Sequence, residues 1–311
     1  MSEAGESQLG FFGPSSVTWR VAREAALFLG GPRALMLQIA HPAVAAAVEA
    51  HSDFRADPMG RGQRTFEIMY AIIFGDRESA ARAMGRMTRR HAPVVGTIEE
   101  ASASPWSGRA YAASDPTLLL WVHATLIDTA LGVYERTVRP LAPAEAERYW
   151  QESRLLGELF GIPGAALPRT LADFRAYMHA MLHGPTLQVG PIARGQWDAL
   201  AAAPPSQGLA SIYGAAWAER WQRLVDRAPL RASSASLTHL LGAGMLPPRL
   251  REAFGYAWGR RERLAYSAVL SLAGAVVPRL PRRLRFIPGY RHALARVRAA
   301  GARPVSALQP A

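Results

Sequence analysis

The sequence predicts an all-α protein built as a single large helical domain. Nearly every segment repeats its apolar residues with the helical period, and no convincing alternating strand pattern appears. Proline-rich breaks at 163–168, 185–191, 203–205, 246–248 and 278–281 cut the chain into helix-length pieces. Half of the 311 residues are hydrophobic, enough for a large core, and no internal repeat is visible.

Taken in order, residues 1–16 read as a flexible segment whose acidic, polar start argues against a secretory signal. Residues 17–29 form a first amphipathic helix, and the Ala-rich stretch 31–50 a second, broken at His41-Pro42. Residues 59–74 and 77–97 form a helical hairpin about Phe74-Gly75-Asp76, with Asp76 as N-cap of the second arm. Asp115-Pro116 is a strong helix start, a capping carboxylate followed by proline at the first helical position. The helix it opens, Leu118 to about Val138, is apolar on most faces and is therefore expected at the centre. Further helices fit 143–160, 170–183, 208–227, 249–274 and 287–299. The region 185–207 is a weak candidate boundary, but no change of composition supports two domains. The helical domain is thus expected over 17–300, with 301–311 as a flexible tail. The longest apolar run, around Ala265–Pro278, is interrupted by Tyr266, Ser267 and Ser271. It falls short of the roughly 20 residues needed to span a bilayer, so a cytoplasmic protein is expected.

Composition removes several chemistries. The chain has no cysteine, which excludes disulfides, iron–sulfur clusters, thiolate ligation and thiol catalysis. It has no lysine either, so all 36 basic residues are arginine and no Schiff base can form. The net charge of +12 is spread along the chain, with one denser region near the C-terminus. There Arg279, Arg282, Arg283, Arg285, Arg291, Arg296 and Arg298 interleave with Phe286, Ile287 and Tyr290. Such a stretch reads either as a packed tail with a solvated basic face or as a peripheral contact with membrane phosphates. No nucleic-acid partner is expected. There is no P-loop, dinucleotide fingerprint, nucleophile elbow or pair of Glu-x-x-His motifs. His179 and His183 share a helical face, but Ala180 stands where a zinc protease needs glutamate.

The hairpin holds the strongest constellation. Arg61 and His91 lie nearly equidistant from the break, so antiparallel helices would set them level, offset by about 1.5 Å along the axes. A cationic donor facing an imidazole can hold a flat cofactor between them, and a haem with a proximal histidine and a distal polar group fits. Arg61, Arg64 and Thr65 share one helix face, continued by Ile68, Met69 and Ile72. That face reads either as a solvated helix end or as a polar cluster aimed into an apolar pocket. His91 on its apolar face reads as an iron ligand or as a satisfied core histidine. His123, within Trp121-Val122-His123-Ala124-Thr125, is expected to be buried. Its partner would be Thr125, Asp128 or a cofactor carboxylate.

At these residues the chain resembles the oxygenase family that includes latex-clearing protein (rubber oxygenase) and the fungal MpaB oxygenase. The matching text runs from Gly31-Pro32-Arg33-Ala34-Leu35 through Gln38-Ile39-Ala40-His41-Pro42-Ala43-Val44 and His51-Ser52-Asp53-Phe54. It continues with Arg61-x-x-x-Thr65, Phe74-Gly75, His91-x-x-Val94-x-Gly96, Asp115-Pro116 and the segment around His123, and ends with Arg285-Phe286-Ile287-Pro288-Gly289-Tyr290. The resemblance implies a globin-like core enclosing one haem b. It implies His91 as the proximal iron ligand, Arg61 and Thr65 as distal catalytic residues, and Arg64 and His123 as further cofactor contacts. The rubber-cleaving branch has a lysine at the position of Arg64. A guanidinium has no free lone pair, so the sixth iron site is expected open and the rubber substrate does not carry over. The carboxylate base proposed for that branch has no clean counterpart, and Glu49 and Asp53 are only near it. The expected function is a haem-dependent oxygenation of a hydrophobic, isoprenoid-like small molecule by dioxygen. The alternative is a non-catalytic helical protein that binds haem or lipid, with membrane-peripheral contact left open.

Overall fold

Prolines and short polar side chains start most of the helices, as the sequence requires. The computed structural model describes residues 10–99, 105–202, 219 and 234–300. Ser16 caps α1 (Val17–Ala22) by accepting from the Trp19 N–H. A 3₁₀ turn (Ala25–Gly30) leads into α2 (Gly31–Ile39), and Pro42 opens α3 (Pro42–His51) after a break at His41. Helices α4 (Pro58–Phe74) and α5 (Arg77–His91) form the hairpin, capped by Asp57 and Asp76. Strand β1 (Val95–Thr97) pairs antiparallel with β2 (Ala110–Ala112), Gly96 lying opposite Tyr111. There follow α6 (Pro116–Thr137), α7 (Pro143–Leu159), α8 (Leu171–His183) and α9 (Pro191–Ala202). The last elements are α10 (Ser234–Gly244), α11 (Pro248–Ala253), α12 (Arg260–Val276), α13 (Arg282–Arg285) and α14 (Pro288–Ala299).

The fold is predominantly helical, as expected, and most boundaries fall where caps and prolines put them. The exceptions have physical causes. The segment 17–29 is not one helix, because Glu24 is extended and forms a β-bridge with Phe286. The arm expected over 77–97 stops at His91, since Pro93 cannot continue a helix and Val95–Thr97 is recruited into the small hairpin. The segment 249–274 divides between α11 and α12, with Gly255 at φ +85° turning the chain. Helix α9 fills part of the region read as a weak boundary, and α10 was not expected at all. Of the terminal segment 1–16, the described part includes Phe12, which is buried in the core. The helix expected at 208–227 and the tail 301–311 lie outside the described residues, apart from Glu219.

Helix α6 is the central element, contributing Trp121, Ala124, Ile127, Leu131 and Tyr134 to the main core. It is long and apolar enough to cross a bilayer, but most of it is buried inside the protein, as befits a core helix. Four fully buried tryptophans bolt the layers together, because a buried indole N–H needs an acceptor. Trp19 donates to Ile73 O at 2.7 Å, Trp121 to Leu37 O at 3.1 Å and Trp150 to Pro168 O at 3.2 Å, while Trp197 donates to the Tyr256 hydroxyl.

Two ion pairs tie distant segments. Arg33 on α2 reaches Asp128 and Thr129 of α6, each at 2.6 Å, and the carbonyl of Met245 at 3.1 Å. Glu24 is wholly buried and takes two hydrogen bonds from Arg285, at 2.8 and 2.9 Å. This bidentate pair, together with Ile287 N–H to Arg23 O at 3.0 Å, docks the C-terminal segment onto the first turn. Removing one partner of such a pair leaves the other charge uncompensated. Glu24→Gln is therefore expected to cost about 3 kcal/mol or more, read as a lower urea midpoint with the helical signal retained below it.

Candidate functional site

The closed end of the α4–α5 hairpin is clamped to the core. The last carbonyls of a helix lack intrahelical donors, and here outside groups supply them. Trp19 serves Ile73 O, and Arg296 from α14 donates to Phe74 O at 2.6 Å, its cation well placed at the negative end of the helix dipole. Gly75 sits so close to Gly10 that a Cβ on Gly10 would meet the Gly75 carbonyl oxygen at 2.1 Å. Asp76 then starts α5 by accepting from Ser79 N–H at 2.7 Å.

From this clamp the two arms run back, with Arg61 on α4 and His91 at the end of α5. Burial lowers the His91 pKa, and the Arg61 charge lowers it further. His91 is therefore neutral near pH 7, with a nitrogen lone pair free. Among the described residues its ring has no hydrogen bond or ion pair. Arg61 is half-buried, and burial, then the charge of Arg64, lowers its pKa. Its guanidinium lies 5.6 Å over the ring of Phe54 and has no carboxylate partner among the described residues. Phe54 was not singled out as an arginine contact, because the loop that precedes α4 has no periodicity to betray it.

The rest of the expected face behaves differently. Arg64 pairs with Asp57 at 3.3 Å, at the start of its own helix. Thr65 is exposed and donates its hydroxyl to Arg61 O at 3.1 Å. Ile72 is committed to the main core, while Ile68 and Met69 are only partly buried. Leu118 packs with Ala43, Ala46, Ile98 and Tyr111, and Leu120 with Ile162 and Leu167, so neither is free to seat a ligand. Glu49 is held by Arg55 at 2.7 Å and by Gln196 at 3.0 Å. Burial raises its pKa, but those two hydrogen bonds outweigh it and the net shift is downward, which makes it a weak base.

His123 lies elsewhere, enclosed between α6 and α7. Its ring is 6.5 Å from that of Trp150 and 6.1 Å from that of Phe160, and a Cβ on Gly157 would stand 3.3 Å from Nε2. The partners expected for it are taken. Thr125 donates to Val122 O and accepts from Gln38, and Asp128 holds Arg33. Both nitrogens of His123 are buried without a hydrogen-bond partner. Desolvation pushes its pKa down to about 4, and the nearby Ser153 backbone offsets this only in part. His41, edge-on to Trp106 at 4.8 Å, is likewise pushed to about 4 by desolvation, against the pull of Asp115.

The basic C-terminal stretch is internal only in part, for Arg279, Arg282, Arg283, Arg291 and Arg298 are exposed. Arg285 and Arg296 serve Glu24 and Phe74 O, Arg279 donates to Ala275 O, and Phe286, Ile287 and Tyr290 are buried in the core. The aromatic and aliphatic residues that a lipid contact would use there are thus unavailable to it.

The buried histidines set the acid limit of the fold. Their folded pKa values lie below the model value of 6.5, so the unfolded chain takes up protons first. Stability present at neutral pH is lost as pH falls from 6.5 towards about 4, and the loss then levels off. Each ring is worth on the order of 3 kcal/mol over that interval. His123→Phe is expected to show a shallower decline, read from urea midpoints measured across the same pH range.

Residues 19–276 match the family described as "ER-bound oxygenase mpaB/B'/Rubber oxygenase, catalytic domain". The chain is 25% identical to the uncharacterized proteins Mb2261 of Mycobacterium bovis and Rv2237 of Mycobacterium tuberculosis, over 224 residues in each case. These alignments cover 71% of this chain and 76% of each relative. No solved structure matches the chain. The match spans the hairpin, the central helix and most of the core, and the chain belongs to the mpaB/rubber-oxygenase catalytic-domain family.

Proposed function

We propose that the protein is a haem b-dependent oxygenase of a hydrophobic, isoprenoid-like small molecule. The observation that carries this reading is the pair at the open end of the hairpin: a neutral imidazole and a half-buried guanidinium whose charge reaches it, neither with a hydrogen-bond or carboxylate partner among the described residues. A half-desolvated cation without a carboxylate is costly unless a ligand completes it. Family membership supports a general oxygenase role. The donor set suits haem. His91 offers a neutral nitrogen and Arg61 a forked donor.

When bound, haem supplies the redox centre at which dioxygen is activated. His91 would hold it from one arm of the hairpin, and the Arg61 charge keeps that imidazole deprotonated. Arg61 would donate N–H groups to dioxygen or to a substrate oxygen. Thr65, one turn on, would meet substrate at the exposed rim. The half-buried Ile68 and Met69 are the nearest apolar surface on that face. Arg64 spends its charge on Asp57 and contributes to the field that lowers the Arg61 pKa.

The test is spectroscopic first. The purified protein is expected to carry a Soret band. His91→Ala is expected to lose haem, whereas His179→Ala keeps it, and full haem content in the His91 variant would reject the assignment. Arg61→Ala is expected to retain haem and helicity but lose dioxygen consumption by roughly 100-fold or more, the usual scale for one oxyanion-type donor. A haem-free Arg61 variant would instead make that residue a cofactor anchor. Arg64 has no lone pair to offer the iron, so cyanide and imidazole are expected to bind in a single fast phase. A resting spectrum with two nitrogenous axial ligands would contradict this.

A further inference from the structure

We propose that α12 is an interfacial helix that docks the protein on an anionic membrane surface. This does not rest on the haem assignment. A helix that is apolar around most of its circumference is normally buried, yet α12 contains no buried residue. One side, with Tyr266, Val269, Leu270 and Ala273, is partly covered by the protein. The other is bare. Leu264 is 61% exposed, Leu272 66% and Val276 43%, and Ala265, Ala268 and Ala275 fill the space between them. At 100° per residue these six fall on one arc of the helix, and no polar residue interrupts it between Leu264 and Val276. The stripe is about 18 Å long. Isolated exposed leucines are ordinary, but a continuous apolar stripe marks an interaction surface.

The charges around the stripe select its occupant. Arg261 lies on the axis of the same arc one turn before Leu264, and Arg279 lies on it just beyond Val276. Both are exposed, as are Arg260, Arg263, Arg282 and Arg283. Against these six cations the segment carries one carboxylate, Glu262, which is occupied in capping Gly259 N–H at 2.8 Å. Apolar side chains bracketed by arginines suit a bilayer lying parallel to the helix, with leucines in the acyl boundary and guanidinium groups among the phosphates. A second copy of the chain suits it poorly. Antiparallel contact would bring Arg261 against Arg279 of the other copy, and parallel contact would bring each arginine against itself.

The experiment is sedimentation of the full chain with phosphatidylcholine vesicles, with and without phosphatidylglycerol. Binding is expected to the anionic vesicles and to weaken as salt is raised. Leu264→Asp/Leu272→Asp is expected to weaken it about tenfold or more, and Arg261→Gln/Arg279→Gln to weaken it several-fold, both with unchanged helicity and thermal midpoint. These residues are exposed, so the substitutions leave the core intact. Failure of the wild type to bind anionic vesicles would overturn the proposal, as would equal binding by the leucine variant. A wild-type dimer that the leucine substitutions convert to monomer, without vesicle binding, would assign the stripe to self-association instead.

Discussion

The clamp on the Ile73–Asp76 turn is the constraint on which the site depends. Two helices joined by a tight turn can slide and splay, and the open end magnifies any error at the closed one. Here the two carbonyls left without helical donors are taken by Trp19 and Arg296, which come from opposite ends of the chain. Gly10 closes over Gly75 at a separation that admits no side chain. The first and last helices of the described domain thus fix the turn.

The same logic explains how an all-arginine chain uses its cations. A guanidinium has five donors in a rigid fork and can satisfy carboxylate and carbonyl groups together. Arg33 joins α2, α6 and the end of α10 in this way, and Arg285 closes over Glu24 while also reaching Pro278 O. Arg249 and Arg251 donate to the carbonyls of Leu187 and of Ala243 and Leu246. Much of the positive charge is therefore structural. Arg61 differs from these in being partly desolvated over an aromatic ring, with no carboxylate partner among the described residues.

The histidines divide by the same test. His41 and His123 are deep in the protein and kept neutral by desolvation, a cost that the fold carries at low pH. His91 is kept neutral by burial together with a neighbouring cation. A cation that discourages protonation keeps an imidazole competent as a ligand, so the pairing with Arg61 matters before any ligand arrives.

The sequence by itself determined most of the helices, including the hairpin that carries the site. Period, proline and caps are local signals, and they placed α4, α6, α7, α8 and α14, and the start of α5, within a few residues. Because a turn and two arm lengths are also local, the hairpin that carries Arg61 and His91 could be read without a structure. Tertiary contacts decided the rest. Glu24 left its helix because Arg285, 261 positions away, needed a carboxylate. The chain after His91 turned into a strand because residues 110–112 offered it a ladder, and three residues are too few to show alternation. Thr65 and Arg64 shared a face with Arg61 in the sequence, yet a hydroxyl can bond back to its own helix and an arginine can reach a capping aspartate. The apolar run of α12 reads like a core helix, and only the tertiary structure shows that Leu264, Leu272 and Val276 are left exposed. Periodicity reports which residues share a face, whereas the neighbour that covers that face is a long-range property of the packed chain.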